Sequence, residues 1–140
     1  MNRILKEIID TAIAFLIALA IYKLLGIALA TPVPIVSVTS NSMRPSLHPG
    51  DLALVVNASK LRVGEIVVYA ADCPLLPRED VIHRVVEING SMIVTKGDNN
   101  ATNPVPDPCP VRVEQVKGKI VFAIPLLGYP RLLLNLLLGI

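Results

Sequence analysis

A serine can act as a nucleophile only where a neighbouring base takes its proton and hydrogen-bond donors await the developing oxyanion. The search therefore begins with serines, histidines, lysines and carboxylates that one fold could bring together. Ser42 stands in the run Ser-Asn-Ser-Met-Arg-Pro (Ser40 to Pro45), which also holds a second serine two positions earlier. The chain has two histidines, His48 in a proline-bounded turn and His83 in Val-Ile-His-Arg-Val-Val. By position alone either histidine reads equally well as a surface residue. Asp98 in Lys-Gly-Asp-Asn-Asn and Asp107 in Asn-Pro-Val-Pro-Asp-Pro are the candidate orienting acids. Neither histidine has a Cys, His or acid at metal-ligand spacing, so no metal or organic cofactor is expected.

The residues around these candidates predict a mainly β framework. Ile35 to Thr39, Asp51 to Val56, Glu65 to Tyr69, Val81 to Ile88, Met92 to Lys96 and Val113 to Phe122 are rich in Val and Ile, with turn signals between them. Asn89-Gly90 is the strongest hairpin signal, read as a primed turn with positive φ at both central positions. No amphipathic segments of crossover length separate the strands, so a small, partly open β-barrel or coiled sheet is expected rather than a parallel sheet.

Both ends of the chain are apolar. Of the 140 residues 53% are hydrophobic, and the mean hydropathy is +0.62, more than a small soluble domain needs for its core. Charged residues collect between Arg44 and Lys119 with alternating sign, which makes the middle a water-facing domain. A net charge of +2 and 4% aromatic residues provide neither a basic stripe nor stacking platforms, so nucleic acid is not an expected partner. Ile8 to Leu29 is long enough to cross a hydrocarbon core of roughly 30 Å, and Lys23 lies where its stem can run along lipid to the headgroups. A cleaved secretory signal is the rival reading, with Arg3 and Lys6 as a basic leader, Thr11 to Ile21 as its apolar stretch and Ala28-Leu29-Ala30 as the cleavage site. The apolar run is longer than such a segment needs, which favours a retained anchor at residues 1–31. Arg3 and Lys6 would hold the N-terminus in the cytoplasm, leaving residues 32–124 as an extracytoplasmic domain. Residues 125–140 are again apolar. As a helix from Leu126 they reach only about 22 Å, which suggests membrane association over a full crossing. Cys73 and Cys109 are too few for a disulfide scaffold; one bridge or two free thiols both remain open.

Five motifs in a fixed order narrow the chemistry. Ser-Asn-Ser-Met-Arg-Pro is followed by Pro-Gly-Asp-Leu-Ala-Leu-Val (Pro49 to Val55), Gly-Glu-Ile-Val-Val-Tyr (Gly64 to Tyr69), Ile-His-Arg-Val (Ile82 to Val85) and Lys-Gly-Asp-Asn-Asn (Lys96 to Asn100). Together, after an N-terminal anchor, they resemble type I signal peptidases over roughly Val36 to Leu127. Where the bacterial branch has a lysine base, this chain has His83, so the likeness is to the archaeal and endoplasmic-reticulum (Ser-His) branch. The resemblance implies Ser42 as nucleophile, His83 as general base, and Ser40 with the Ser42 backbone N–H as oxyanion donors. It implies an aspartate that orients His83. Asp107 is favoured for that role, as the second aspartate following the Lys-Gly-Asp-Asn motif; Asp98 is the alternative, since Asp107 lies nine residues beyond it, farther than the family's interval.

The resemblance further implies a membrane-bound serine endopeptidase that cleaves N-terminal signal peptides from secretory precursors at the outer membrane-water interface, through an acyl-enzyme. Its partners would be signal-peptide-bearing preproteins, the lipid bilayer and the secretion translocon, in a cell membrane or an endoplasmic-reticulum-type membrane. The rival from another class is a membrane-tethered, non-catalytic β-domain that binds or organises partner proteins.

Overall fold

The computed structural model describes residues 1–75, 78–127, 134 and 136–139. The first element is a helix, α1 (Arg3–Ala28), which Asn2 caps by accepting a hydrogen bond from the Ile4 N–H. Its 26 residues extend about 39 Å at 1.5 Å per residue. The helix is long and apolar enough to cross a membrane, and none of its residues is buried against the rest of the protein. Phe15, Leu16 and Ile27 are all more than half exposed, an arrangement that in water would forfeit the burial energy of every such side chain.

Among the described residues seven strands follow: β1 (Ile35–Ser37), β2 (Leu52–Val56), β3 (Ile66–Ala70), β4 (Asp80–Asn89), β5 (Met92–Lys96), β6 (Val111–Arg112) and β7 (Val116–Ile124). They form one antiparallel sheet in the order β1-β2-β7-β3-β4-β5-β6. The two edge strands, β1 and β6, do not pair with each other, so the sheet is open, as the sequence leads one to expect. The last expected strand, Val113 to Phe122, begins instead as a 3-10 turn at Val113–Gln115. Gln115 explains the turn: its Oε1 accepts from the Arg112 N–H at 2.9 Å and its Nε2 donates to the Ala70 carbonyl at 2.9 Å, bending the chain before β7 begins.

The β4–β5 hairpin forms where expected, but its two-residue loop is Gly90-Ser91, because Asn89 pairs with Met92. Gly90 alone takes a positive φ, 63°. The expected pair of left-handed residues at Asn89 and Gly90 is thus corrected to one at the first central position, where only glycine carries no Cβ penalty.

Two apolar clusters hold the domain together. Val67, Tyr69, Ala71, Val85, Ile93 and Val111 form one, drawn from β3 to β6. Val38, Met43 and Leu47 form the other, packed against Ile66, Ile82, Ile120 and Ala123. The helix joins the sheet through backbone and threonine contacts: the Asn57 N–H donates to the Leu29 carbonyl at 2.9 Å, and Thr31 Oγ1 donates to the Lys117 carbonyl at 2.8 Å. Half of the apolar C-terminal segment expected over 125–140, residues 128–133, 135 and 140, lies outside the described residues.

Candidate active site

Successive side chains on a strand point to opposite faces, so His83 and Arg84 on β4 address two different clusters. His83 pairs across the sheet with Val67, Val81 with Tyr69, and Val85 with Thr95. Alternation therefore places Tyr69, His83 and Thr95 on one face, beside the larger apolar cluster. Asp107 reaches them from the loop beyond β5, where its N–H donates to the Thr95 carbonyl at 2.8 Å as if continuing the ladder.

His83 Nδ1 lies 2.5 Å from Asp107 Oδ2, and the two side chains are only 8% and 5% exposed. A carboxylate oxygen can only accept, so Nδ1 carries the proton in this bond. The same Oδ2 accepts from Thr95 Oγ1 at 2.7 Å and lies 3.2 Å from the Tyr69 hydroxyl, which is also 3.2 Å from Thr95 Oγ1. Burial pushes the Asp107 carboxyl up, but the hydrogen bonds from His83, Thr95 and Tyr69, with the charge of His83, outweigh it and hold the group below its ordinary value. Burial also drives the Tyr69 phenol far above its ordinary value, with help from the Asp107 charge. Tyr69 is therefore a neutral donor beside an anion.

Asp98, the other candidate acid, has no part in this cluster. Arg84 Nε donates to its Oδ1 at 2.8 Å and Arg84 Nη2 to its Oδ2 at 2.6 Å, a bidentate pair. Ser46 Oγ donates to Oδ2 at 2.5 Å, and Arg84 Nη1 donates to the Gly64 carbonyl at 2.6 Å. The Arg84 hydrogen bond is the largest influence on Asp98 and holds its carboxyl low, with burial opposing. Ser46 is four residues beyond Ser42, so this pair ties the Ser42 loop to β4.

The loop is gripped a second time just after Asp98. The Asn99 N–H donates to the Ser42 carbonyl at 2.9 Å, and Asn99 Nδ2 donates to the Asn41 carbonyl at 3.0 Å. Gly97 is required for that approach, since a Cβ there would stand 2.7 Å from the Ser42 carbonyl oxygen. From below, Met43 is 1% exposed and fills the second apolar cluster. Ser42 itself is half-buried, with its Oγ 3.0 Å from Ser40 Oγ. The Ser42 N–H, expected as an oxyanion donor, is directed at Ser40 Oγ at 3.5 Å, so the two expected donors face each other.

A cleft of about 250 Å³ runs between these elements. Ser40, Ser42 and Met43 form part of one wall, and Glu79 to His83 form the other. The structure thus brings Ser42 and His83 to one cleft and Asp107 to His83, and assigns Asp98 to Arg84. His48 is exposed and does not line the cleft, and its backbone N–H is bonded to Asp51 Oδ2 at 2.8 Å. Cys73 and Cys109 form a disulfide that ties the Asp107 loop to the chain leaving β3. Among the described residues no cluster of His, Cys, Asp and Glu could hold a metal ion.

Sequence reasoning gave no role to Thr95, Tyr69, Arg84 or Ser46. Arg84 had a signal, as a cation adjacent to the candidate base. Thr95 is a hydroxyl in an otherwise apolar alternation, and Tyr69 ends an apolar run with a polar tip that needs a partner when buried.

A family model described as "Signal peptidase, peptidase S26" matches residues 8–120. The chain is similar to the signal peptidase complex catalytic subunit SEC11 of Pyricularia oryzae, at 32% identity over 92% of this chain and 80% of that protein. It is similar to the protein of the same name from Yarrowia lipolytica, at 34% identity over 93% and 80%. A third relative, sec11 of Pyrenophora tritici-repentis, is 33% identical over 96% of this chain and 82% of its own. With these matches over most of its length, the chain belongs to the signal peptidase family, peptidase S26.

Proposed function

We propose that this protein is a membrane-bound signal peptidase, a serine endopeptidase that removes N-terminal signal peptides from secretory precursors. The observation that carries the reading is the shared cleft: Ser42 and His83 line it together, and the imidazole is backed by a buried, ionised Asp107.

In this mechanism His83 Nε2 takes the Ser42 proton as Oγ attacks the scissile carbonyl, and Asp107 stabilises the imidazolium that results. The tetrahedral oxyanion is held by Ser40 Oγ and the Ser42 N–H, which turn from each other toward the substrate oxygen. His83 then protonates the leaving amine, the signal peptide remains as an ester on Ser42, and water activated by His83 releases it. A histidine base needs less tuning for work near neutral pH than a lysine, whose reference value near 10.4 calls for strong desolvation.

Location follows from the same reading. Residues 1–31 serve as the anchor, residues 32–124 as the extracytoplasmic peptidase domain, and residues 125–140 as a membrane-associated tail. Leu29 and Thr31, just past α1, bond to Asn57 and Lys117 of the β domain, a short tether that would hold the cleft near the surface from which signal peptides emerge. That surface is a cell membrane or an endoplasmic-reticulum-type membrane, and the secretion translocon is the neighbour expected to deliver substrate. The relatives are named as subunits of a complex, which favours work alongside accessory subunits.

The test is incubation of the detergent-solubilised protein with a preprotein, followed by N-terminal sequencing of the product. Wild type is expected to release the mature chain, and Ser42→Ala is expected to leave the precursor intact. Equal cleavage by the two would overturn the reading.

A further inference from the structure

Asp107 is an expensive group to bury as an anion. An ionised carboxylate withdrawn from water needs donors to replace its lost solvation, or it takes up a proton instead. His83 supplies one donor, but that bond alone makes the acid depend on the base it is meant to orient. The other donors come from β5 and β3: Thr95 Oγ1 at 2.7 Å, and the Tyr69 hydroxyl at 3.2 Å. Both residues are 1% exposed.

Thr95 stands where packing alone would accept valine. Its strand neighbour Ile93 and its cross-strand partner Val85 are both fully buried apolar residues. A buried hydroxyl without a partner destabilises, so a threonine at this site implies a use for its proton. Its shortest contact is with the oxygen that holds His83 Nδ1. Tyr69 stands beside both, 3.2 Å from Thr95 Oγ1.

We propose that Thr95, with Tyr69 beside it, is a positioning residue that keeps Asp107 ionised and aimed at His83 Nδ1. The inference rests on the reading of Asp107 as the orienting acid of the proposed peptidase. Neither hydroxyl touches the substrate. Their effect passes through Asp107 to the tautomer and orientation of the imidazole, so it falls on turnover rather than on substrate affinity.

The experiment compares wild type with Thr95→Val, Thr95→Ser, Tyr69→Phe and Ser42→Ala on a preprotein, recording kcat, KM, the pH profile and the thermal midpoint. Thr95→Val is expected to lower kcat by roughly 10- to 100-fold, the worth of one hydrogen bond to a buried carboxylate, with little change in KM. Its activity should also fail at higher pH on acidification, because a carboxylate that has lost a donor makes the His83–Asp107 pair hold a proton more tightly. Thr95→Ser restores most of both. Tyr69→Phe shifts both in the same direction but less, in keeping with its longer contact.

A Thr95→Val protein with wild-type kcat and an unmoved acid limb overturns the proposal. So does a loss that follows only the folded fraction while the pH profile stays fixed, because that is what a purely packing role predicts. Carbon-13 titration of the Asp107 carboxyl in detergent micelles reads the same shift without catalysis. If wild type and Ser42→Ala cleave alike, the peptidase reading fails, yet the titration still decides this one: an Asp107 that titrates identically with and without the Thr95 hydroxyl sinks it.

Discussion

Asp98 and Asp107 are the same chemical group in two settings. Asp98 lies toward the surface, its side chain 15% exposed, and its charge is matched by a guanidinium that is itself 31% exposed. Asp107 is nearly sealed from water, and its donors are an imidazole and two hydroxyls. An arginine stays charged at any working pH and can act only as a tie, whereas an imidazole changes charge near neutrality. The difference separates two tasks: Asp98 fixes the Ser42 loop in place, and Asp107 can follow a proton.

The largest effect that sharpens this contrast is expected at His83, the proposed base. His83→Ala should lower kcat by on the order of 10⁶, as removal of a triad base does elsewhere, measured in single turnovers on a preprotein. A variant that retains more than a hundredth of the activity would mean that another group takes the proton. On the loop side the strongest loss should be one of stability. Met43→Ala empties a fully buried site beneath Ser42 and is expected to cost about 2–5 kcal/mol in denaturant unfolding of the solubilised protein.

The disulfide belongs to the Asp107 side, since Cys109 lies two residues past the acid. Reduction, or Cys73→Ser with Cys109→Ser, should lower stability by about 2–5 kcal/mol and reduce kcat more than it raises KM. An unchanged kcat in the folded, reduced protein would show that the loop holds Asp107 without its bridge.

Acid acts on both aspartates with the same sign. Each folded value lies below the ordinary 3.8, so each contributes stability that is complete above that value and is lost as pH falls through the depressed one. Unfolding free energy measured against pH should therefore decline below about pH 4. Asp98→Asn should flatten part of that decline, and a curve that stays as steep would remove Asp98 from the account. The smallest effect is expected at His48, where alanine should leave kcat/KM within about twofold, as for an exposed position away from the cleft.

Much of this architecture was legible in the residues, because strands in a small open sheet declare themselves by β-branched runs between turn residues. Ser42, Ser40 and His83 were picked out through motif order, and all three line one cleft. What sequence could not give was partnership. Asp98 and Asp107 both follow β5, and only the sheet register decides which of them meets His83 and which meets Arg84. The hairpin loop shifted by one residue for a related reason: Asn-Gly fits a primed turn, but pairing of Asn89 with Met92 leaves Gly90-Ser91 to make it. Thr95 was invisible because a single hydroxyl on a buried strand face looks like ordinary β-propensity until its oxygen is seen against a carboxylate.

The most direct measurement sets the two acids against each other. Turnover of a preprotein by folded Asp107→Asn and Asp98→Asn, at neutral pH and saturating substrate, should differ widely. The account predicts a loss on the order of 10³- to 10⁴-fold for Asp107→Asn, the cost of a wrongly held imidazole tautomer, and about 10-fold or less for Asp98→Asn. Near-normal turnover by Asp107→Asn, with the large loss at Asp98→Asn instead, would contradict it.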